Sequence, residues 1–159
     1  MGKELNLSYQ HRESSFGDFD HIPLLTKRLS DEGPAMTVGD INQDGLEDLF
    51  VGSSQGQLSF FFLQGENGNF SQGIPLQGSE KFEEVDAVFI DYDGDQDKDL
   101  YIVRGSSEYF QSEYLEDILL INDGRGNFSS GVDKIPYLPM IGSSVRAVSY
   151  THLTVPTKA

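Results

Sequence analysis

Cysteine is absent from this 159-residue chain. That excludes a disulfide framework, a thiolate metal site and a cysteine nucleophile. Basic side chains are scarce: 11 lysines and arginines stand against 26 aspartates and glutamates, for a net charge of −15. A chain this acidic repels nucleic acid and anionic membrane surfaces and attracts cations. No apolar run approaches the ~18 residues of a membrane-inserted helix. The opening Met-Gly-Lys-Glu-Leu-Asn holds no apolar stretch of the kind that begins a secretory signal. There are three histidines, and neither His11 nor His21 has a nucleophile placed to pair with it. What remains is one domain's length of chain, with 17 glycines and a 37% share of hydrophobic residues, enough to bury a core.

The acid that is present is clustered. Residues 40–48 read Asp-Ile-Asn-Gln-Asp-Gly-Leu-Glu-Asp, and residues 91–99 read Asp-Tyr-Asp-Gly-Asp-Gln-Asp-Lys-Asp. Such density of like charge costs stability unless something neutralises it. Asp40, Asn42, Asp44 and Asp48 occupy positions 1, 3, 5 and 9 of the first loop, and Asp91, Asp93, Asp95 and Asp99 occupy the same positions of the second. Alternate side chains of a curled loop converge on one centre, and hard oxygen ligands in that number suit Ca²⁺. The position-7 carbonyl of Leu46 or Asp97 adds a further ligand. Two Ca²⁺ sites are therefore expected. Neither loop is an EF-hand, because position 12 is Val51 or Ile102 instead of a bidentate glutamate. The flanking segments, Leu-Phe-Val-Gly and Leu-Tyr-Ile-Val after the loops, and Ala-Met-Thr-Val-Gly and Ala-Val-Phe-Ile before them, are rich in β-branched and aromatic residues. Each loop thus joins two strands.

The loops are landmarks of an internal repeat. Asp40 and Asp91 stand 51 residues apart, while Gly-Asn-Phe at 68–70 recurs at 126–128, 58 residues on. The second copy therefore carries seven extra residues, around 106–116. A period of this length matches a four-stranded propeller blade. Strands are predicted over 35–40, 49–53, 58–64 and from 70–72 in the first copy, and over 87–90, 100–103, 117–121 and 128–130 in the second. Asn67-Gly68 and Asp123-Gly124 supply hairpin turns. Phe60, Phe61 and Phe62 in succession indicate a strand buried on both faces. Phe110, Tyr114 and Ile118 also fit a helical spacing, but the repeat requires a strand at 117–121, which leaves 106–116 as a loop or short helix. The fold class read from this pattern is all-β: two tandem four-stranded antiparallel blades of a partial β-propeller, with calcium loops between strands one and two.

Residues 38–49, Val-Gly-Asp-Ile-Asn-Gln-Asp-Gly-Leu-Glu-Asp-Leu, resemble the core motif of the FG-GAP/VCBS repeats found in integrin α-subunit propellers and in secreted bacterial proteins. The stretch from Tyr9 to Gly52, with His11, Phe19, Pro23, Leu24, Leu25, Ser30, Gly33, Pro34 and Ala35, is similar to bacterial proteins related to cartilage acidic protein, which often end in an ASPIC/UnbV module. The resemblance covers roughly residues 7–148 and implies calcium, a propeller, and an extracellular, cell-surface or periplasmic location. One departure stands out. The family has glycine at position 6, and the second loop has Gln96, which should cost up to ~1 kcal/mol in a left-handed turn.

The organisation expected is an irregular segment at 1–34, blades at 35–84 and 85–143, and the start of a third blade at 144–147. By the repeat spacing a third calcium loop is due to open at 149, where Ser149 stands. The segment Val-Ser-Tyr-Thr-His-Leu at 148–153 resembles a translated sequencing adapter, and 148–159 are read as a scar on a truncated fragment.

The functional expectation is a binding or adhesion module: a calcium-stiffened scaffold presenting loops to a protein or glycan ligand. The connection around 104–116 lies at the opposite end of the strands from the calcium loops. Its Glu108, Tyr109, Phe110 and Tyr114 are the candidate ligand contacts. The alternative is a fragment of a secreted propeller enzyme, a polysaccharide lyase or hydrolase, with catalytic residues on blades outside the chain. No catalytic residue is assigned within it.

Overall fold

The computed structural model describes residues 7, 9–12, 34–71, 73–105, 116–136, 142 and 144–147. Each repeat forms an antiparallel meander in which neighbours in sequence are neighbours in the sheet. The first sheet comprises β1 (Met36–Gly39), β2 (Asp48–Val51), β3 (Ser59–Phe62) and β4 (Ile74–Leu76). The second comprises β5 (Glu84–Ile90), β6 (Asp99–Arg104), β7 (Ile118–Asn122) and β8 (Phe128–Ser130). Short 3₁₀ turns at Ser79–Lys81 and Val132–Lys134 follow the two meanders. No α-helix occurs among the described residues, and no described helix is long and apolar enough to cross a membrane.

Period-two alternation sorts the side chains. Leu49, Val51 and Phe62 point to one face of the first sheet, where Tyr9, Phe60 and Phe70 pack against them. Phe50 and Phe61 point to the other and form one core with Ala87, Leu100, Ile102 and Leu120 of the second sheet. The triple phenylalanine is thus a strand with apolar contacts on both faces. The Phe61 ring stacks on Phe128 at 4.7 Å and 9°, an aromatic pairing that adds to area burial. β1 and β5 approach so closely that a Cβ on Gly39 would lie 3.0 Å from the Phe89 ring. The two sheets therefore pack face to face, and the pair does not close into a ring. Met36 and Val38 remain exposed on the far face of the first sheet, beside Val51 and Leu49.

The fourth strand of the first repeat lies later than predicted. Phe70 makes only an isolated bridge to Gln64, and β4 begins at Ile74. The pairing slips by one residue between Gln64↔Phe70 and Phe61↔Ile74, as a bulge requires. Gly73 sits at the slip, where a Cβ would lie 2.9 Å from the rings of both Phe60 and Phe62. The second repeat has no such slip, and β8 matches its predicted bounds.

The junction between the sheets also holds a buried polar cluster without a signal in the sequence pattern. Glu84 opens β5 opposite Arg104, the last residue of β6, and both are buried. Glu84 accepts a short hydrogen bond from Ser59, which in turn contacts Ser53 Oγ at 3.0 Å. The Arg104 guanidinium lies 3.5 Å over the Phe82 ring. Burial raises the Glu84 carboxyl to about 7, against the lowering influence of Ser59 and Arg104, and it lowers the Arg104 pKa. Because the folded chain holds this proton more tightly than the unfolded one, the contribution to stability is full below pH ~4.5. It is lost as pH rises through about 7. The cost is on the order of 3 kcal/mol by pH 8. Urea unfolding of the unaltered chain and of Glu84→Gln at pH 5 and pH 8 is expected to show the variant gaining relative stability at the higher pH. A gap independent of pH contradicts this.

Candidate metal centre

Both acidic loops join the first two strands of their sheets, β1 to β2 and β5 to β6, and each ends on a wholly buried aspartate. Asp48 Oδ2 accepts from Ile41 N at 3.1 Å and its Oδ1 from Gln64 N at 2.8 Å. Asp99 repeats the arrangement, with Tyr92 N on Oδ2 and Asn122 N on Oδ1, both at 2.9 Å. Each position-9 carboxylate thus ties its own loop to the third strand of its sheet or the turn just past it. Burial pushes the Asp48 carboxyl above its ordinary range, opposed by those two donors.

The remaining ligand candidates differ between loops. In the first, Asp40 accepts from Asp44 N at 3.1 Å and Gly45 N at 2.9 Å. Asn42 Oδ1 also accepts from Asp44 N, and Asn42 Nδ2 donates to Asp44 Oδ2 at 3.0 Å. Asp44 Oδ1 accepts from the amide of Leu46, the position-7 residue, at 2.8 Å. These side chains largely satisfy one another and the loop backbone. In the second loop Asp91, Asp93 and Asp99 bring one carboxylate oxygen each within 4.8 Å of the others, the one such convergence among the described residues. Asp95 stands outside that trio and accepts from Asp97 N at 3.1 Å. Lys134 reaches Asp93 at 3.9 Å, an exposed pair of little weight.

Asp97 offers its carbonyl at position 7, and its side chain is buried as well. It is only 5% exposed, and its Oδ1 is buried with no hydrogen-bond partner. Its burial, reinforced by Asp95, Asp99 and Asp93, raises this carboxyl to about 6. Three carboxylates converge in this loop, and the same loop buries a further carboxylate oxygen, that of Asp97, which has no hydrogen-bond partner. These residues fit a hard divalent cation: Asp91, Asp93 and Asp99 would hold it, with Asp97 and Asp95 adjacent. The ion would supply charge neutralisation and a cross-link through the loop.

Backbone geometry refines the expected strain. Gln96 at position 6 does adopt a left-handed conformation, φ 78°, as Gly45 does at φ 85°. Position 4 is left-handed as well, with Gln43 at φ 59° and Gly94 at φ 84°. The loops therefore exchange glycine and glutamine between two left-handed positions, and each carries one strained glutamine. Strain does not distinguish the sites. Gln43→Gly and Gln96→Gly are each expected to stabilise the chain, by up to ~1 kcal/mol, in denaturant unfolding. Destabilisation by either would contradict the strain.

The candidate ligand contacts Glu108, Tyr109, Phe110 and Tyr114 lie outside the described residues, as do nearly all of 1–34 and all of 148–159. In 144–147 there is no strand; Val145 N and Arg146 Nη1 converge on Asp86 Oδ2 at 2.9 and 3.1 Å. Two features escaped the sequence reading: the left-handed position 4, which the doubled loop offered as a Gln/Gly exchange, and the role of Asn122. That residue stands where Gln64 stands in the first repeat, both amides sharing the 58-residue landmark spacing.

No curated protein and no solved structure gives a significant match to the chain. A family model for the FG-GAP-like repeat matches residues 40–102, from the first acidic loop through the second and into β6. This stretch, which holds both acidic loops, is similar to the FG-GAP-like repeat.

Proposed function

We propose that the chain is a calcium-binding module of β-propeller type, in which 35–84 and 85–143 are successive blades and 144–147 begin a third. The observation that carries the reading is the convergence of the Asp91, Asp93 and Asp99 carboxylates in the second loop. The ligand sets are Asp40, Asn42, Asp44, the Leu46 carbonyl and Asp48 in one loop, and Asp91, Asp93, Asp95, the Asp97 carbonyl and Asp99 in the other. The second set has one more carboxylate and equal backbone strain, so it is the tighter site. Mg²⁺ competes poorly, because it demands a small octahedral shell and keeps its waters.

Weak sites of this kind fill at extracellular calcium levels, which supports a secreted or surface-exposed location. In an antiparallel meander, loops after the first and third strands share one end and the β6–β7 connection lies at the other. Calcium would stiffen a scaffold whose 104–116 connection is the proposed contact for a protein or glycan partner. The test is titration calorimetry with CaCl₂ on the full chain. Two equivalents are expected, with one lost in Asp91→Ala. No heat of binding, or an unchanged isotherm in Asp91→Ala, overturns the proposal.

A further inference from the structure

The two loops are joined by an unbroken run of buried hydrogen bonds. Asp99 Oδ1 accepts from Asn122 N at 2.9 Å, Asn122 Nδ2 donates to Ile41 O at 2.8 Å, and Ile41 N donates to Asp48 Oδ2 at 3.1 Å. The run begins on the position-9 carboxylate of one loop and ends on that of the other. Asp48 and Asp99 are 0% exposed, Ile41 1% and Asn122 4%, so water does not substitute for any link. Nor can the Asn122 side chain turn away. Its second Nδ2 bond goes to Lys98 O at 3.1 Å, and its Oδ1 accepts from Asp123 N and Gly126 N at 2.9 and 3.1 Å. Two donor hydrogens and two lone pairs are all used. The β7–β8 turn also abuts the first loop: a Cβ on Gly124 would lie 3.2 Å from Gln43 Nε2, and one on Gly126 3.7 Å from the Ile41 side chain.

Resting on the calcium reading above, we infer that the loops do not fill independently and that Asn122 is the positioning residue that couples them. A cation that fixes Asp99 fixes the Asn122 backbone, which sets the side chain holding the Ile41 carbonyl; across the buried Ile41 Cα, the N–H of the same residue orients Asp48. Filling the second loop therefore pre-orders the first, and by linkage the reverse holds with the same factor. Gln64, the repeat equivalent of Asn122, makes the matching backbone bond to Asp48, so the inner half of the device recurs in each repeat.

The test compares calcium affinity at the first loop in the full chain and in Asp91→Ala/Asp93→Ala. The double variant keeps Asp99 and loses two negative charges, about the net charge that bound calcium offsets. First-loop affinity is expected to fall about fivefold or more in the double variant. In an Asn122→Ala background the same comparison is expected to show no difference. A merely structural Asn122 would weaken both affinities and leave their ratio intact. Equal first-loop affinity with and without a working second loop overturns the coupling, as does a ratio that survives Asn122→Ala. Absence of any calcium uptake by the unaltered chain overturns the calcium reading and the coupling together. Should Asn122→Ala fail to fold, amide exchange decides the matter with Asn122 intact. In Asp40→Ala, calcium is expected to slow exchange of the Ile41 N–H, and unchanged exchange overturns the coupling.

Discussion

Asp99→Ala is expected to cost about 2–5 kcal/mol of stability even in chelator, and to abolish calcium binding at the second loop. The carboxylate is wholly buried and accepts from Tyr92 N and Asn122 N. Alanine would leave both amides without an acceptor, at ~1–3 kcal/mol each. Asp91→Ala should differ in kind. Asp91 is exposed and surrounded by like charge, so without calcium its removal relieves repulsion and costs only the single bond from Gly94 N. The expected result in chelator is a large loss for Asp99→Ala and a change within ~1 kcal/mol for Asp91→Ala. Both lose one equivalent of calcium. Equal losses of stability in chelator would contradict the division of labour between a buried hub and exposed ligands.

Phe50→Ala should be the most damaging core substitution on the first sheet. The side chain is 0% exposed, packs on Phe61 with ring centroids 5.0 Å apart, and belongs to the cluster that spans both sheets. A cavity there is expected to cost about 3–5 kcal/mol, a large fraction of the ~5–15 kcal/mol that usually holds a domain together. Phe60→Ala, on the far face and only partly buried, should cost clearly less. Because the cluster joins the sheets, Phe50→Ala should lower the unfolding midpoint of both together. Urea unfolding followed separately by a probe in each sheet checks this, and loss confined to the first sheet would mean that the two fold independently.

The parts of this structure that were legible in the sequence are those fixed by short-range pattern. Alternate acidic positions fixed the loops, and apolar alternation around them fixed β1, β2, β5 and β6 to within a few residues. The repeated Gly-Asn-Phe located the third-to-fourth strand turns. What escaped depends on pairing between segments far apart in the chain. The slip that delays β4 to Ile74 sets Gly73 against the Phe60 and Phe62 rings, an approach that no local pattern encodes. Glu84 and Arg104 look like ordinary strand-end charges until the second sheet packs on the first and buries them. Asn122 resembles any residue before an Asp-Gly turn; its work is done sideways, on Ile41 of the other repeat. The left-handed Gln43 was hidden because only position 6 carried a recognisable preference for glycine.

The most direct test of the calcium account is a thermal melt of the full chain in calcium and in chelator. At free calcium ten times the dissociation constant, each occupied site stabilises the fold by about 1.4 kcal/mol. Two sites together should raise the midpoint by on the order of 5–10 °C. Magnesium at the same concentration should recover only a small part of that shift. The midpoint in calcium is expected to stand at least several degrees above that in chelator; equal midpoints would mean that neither loop binds calcium in the folded chain.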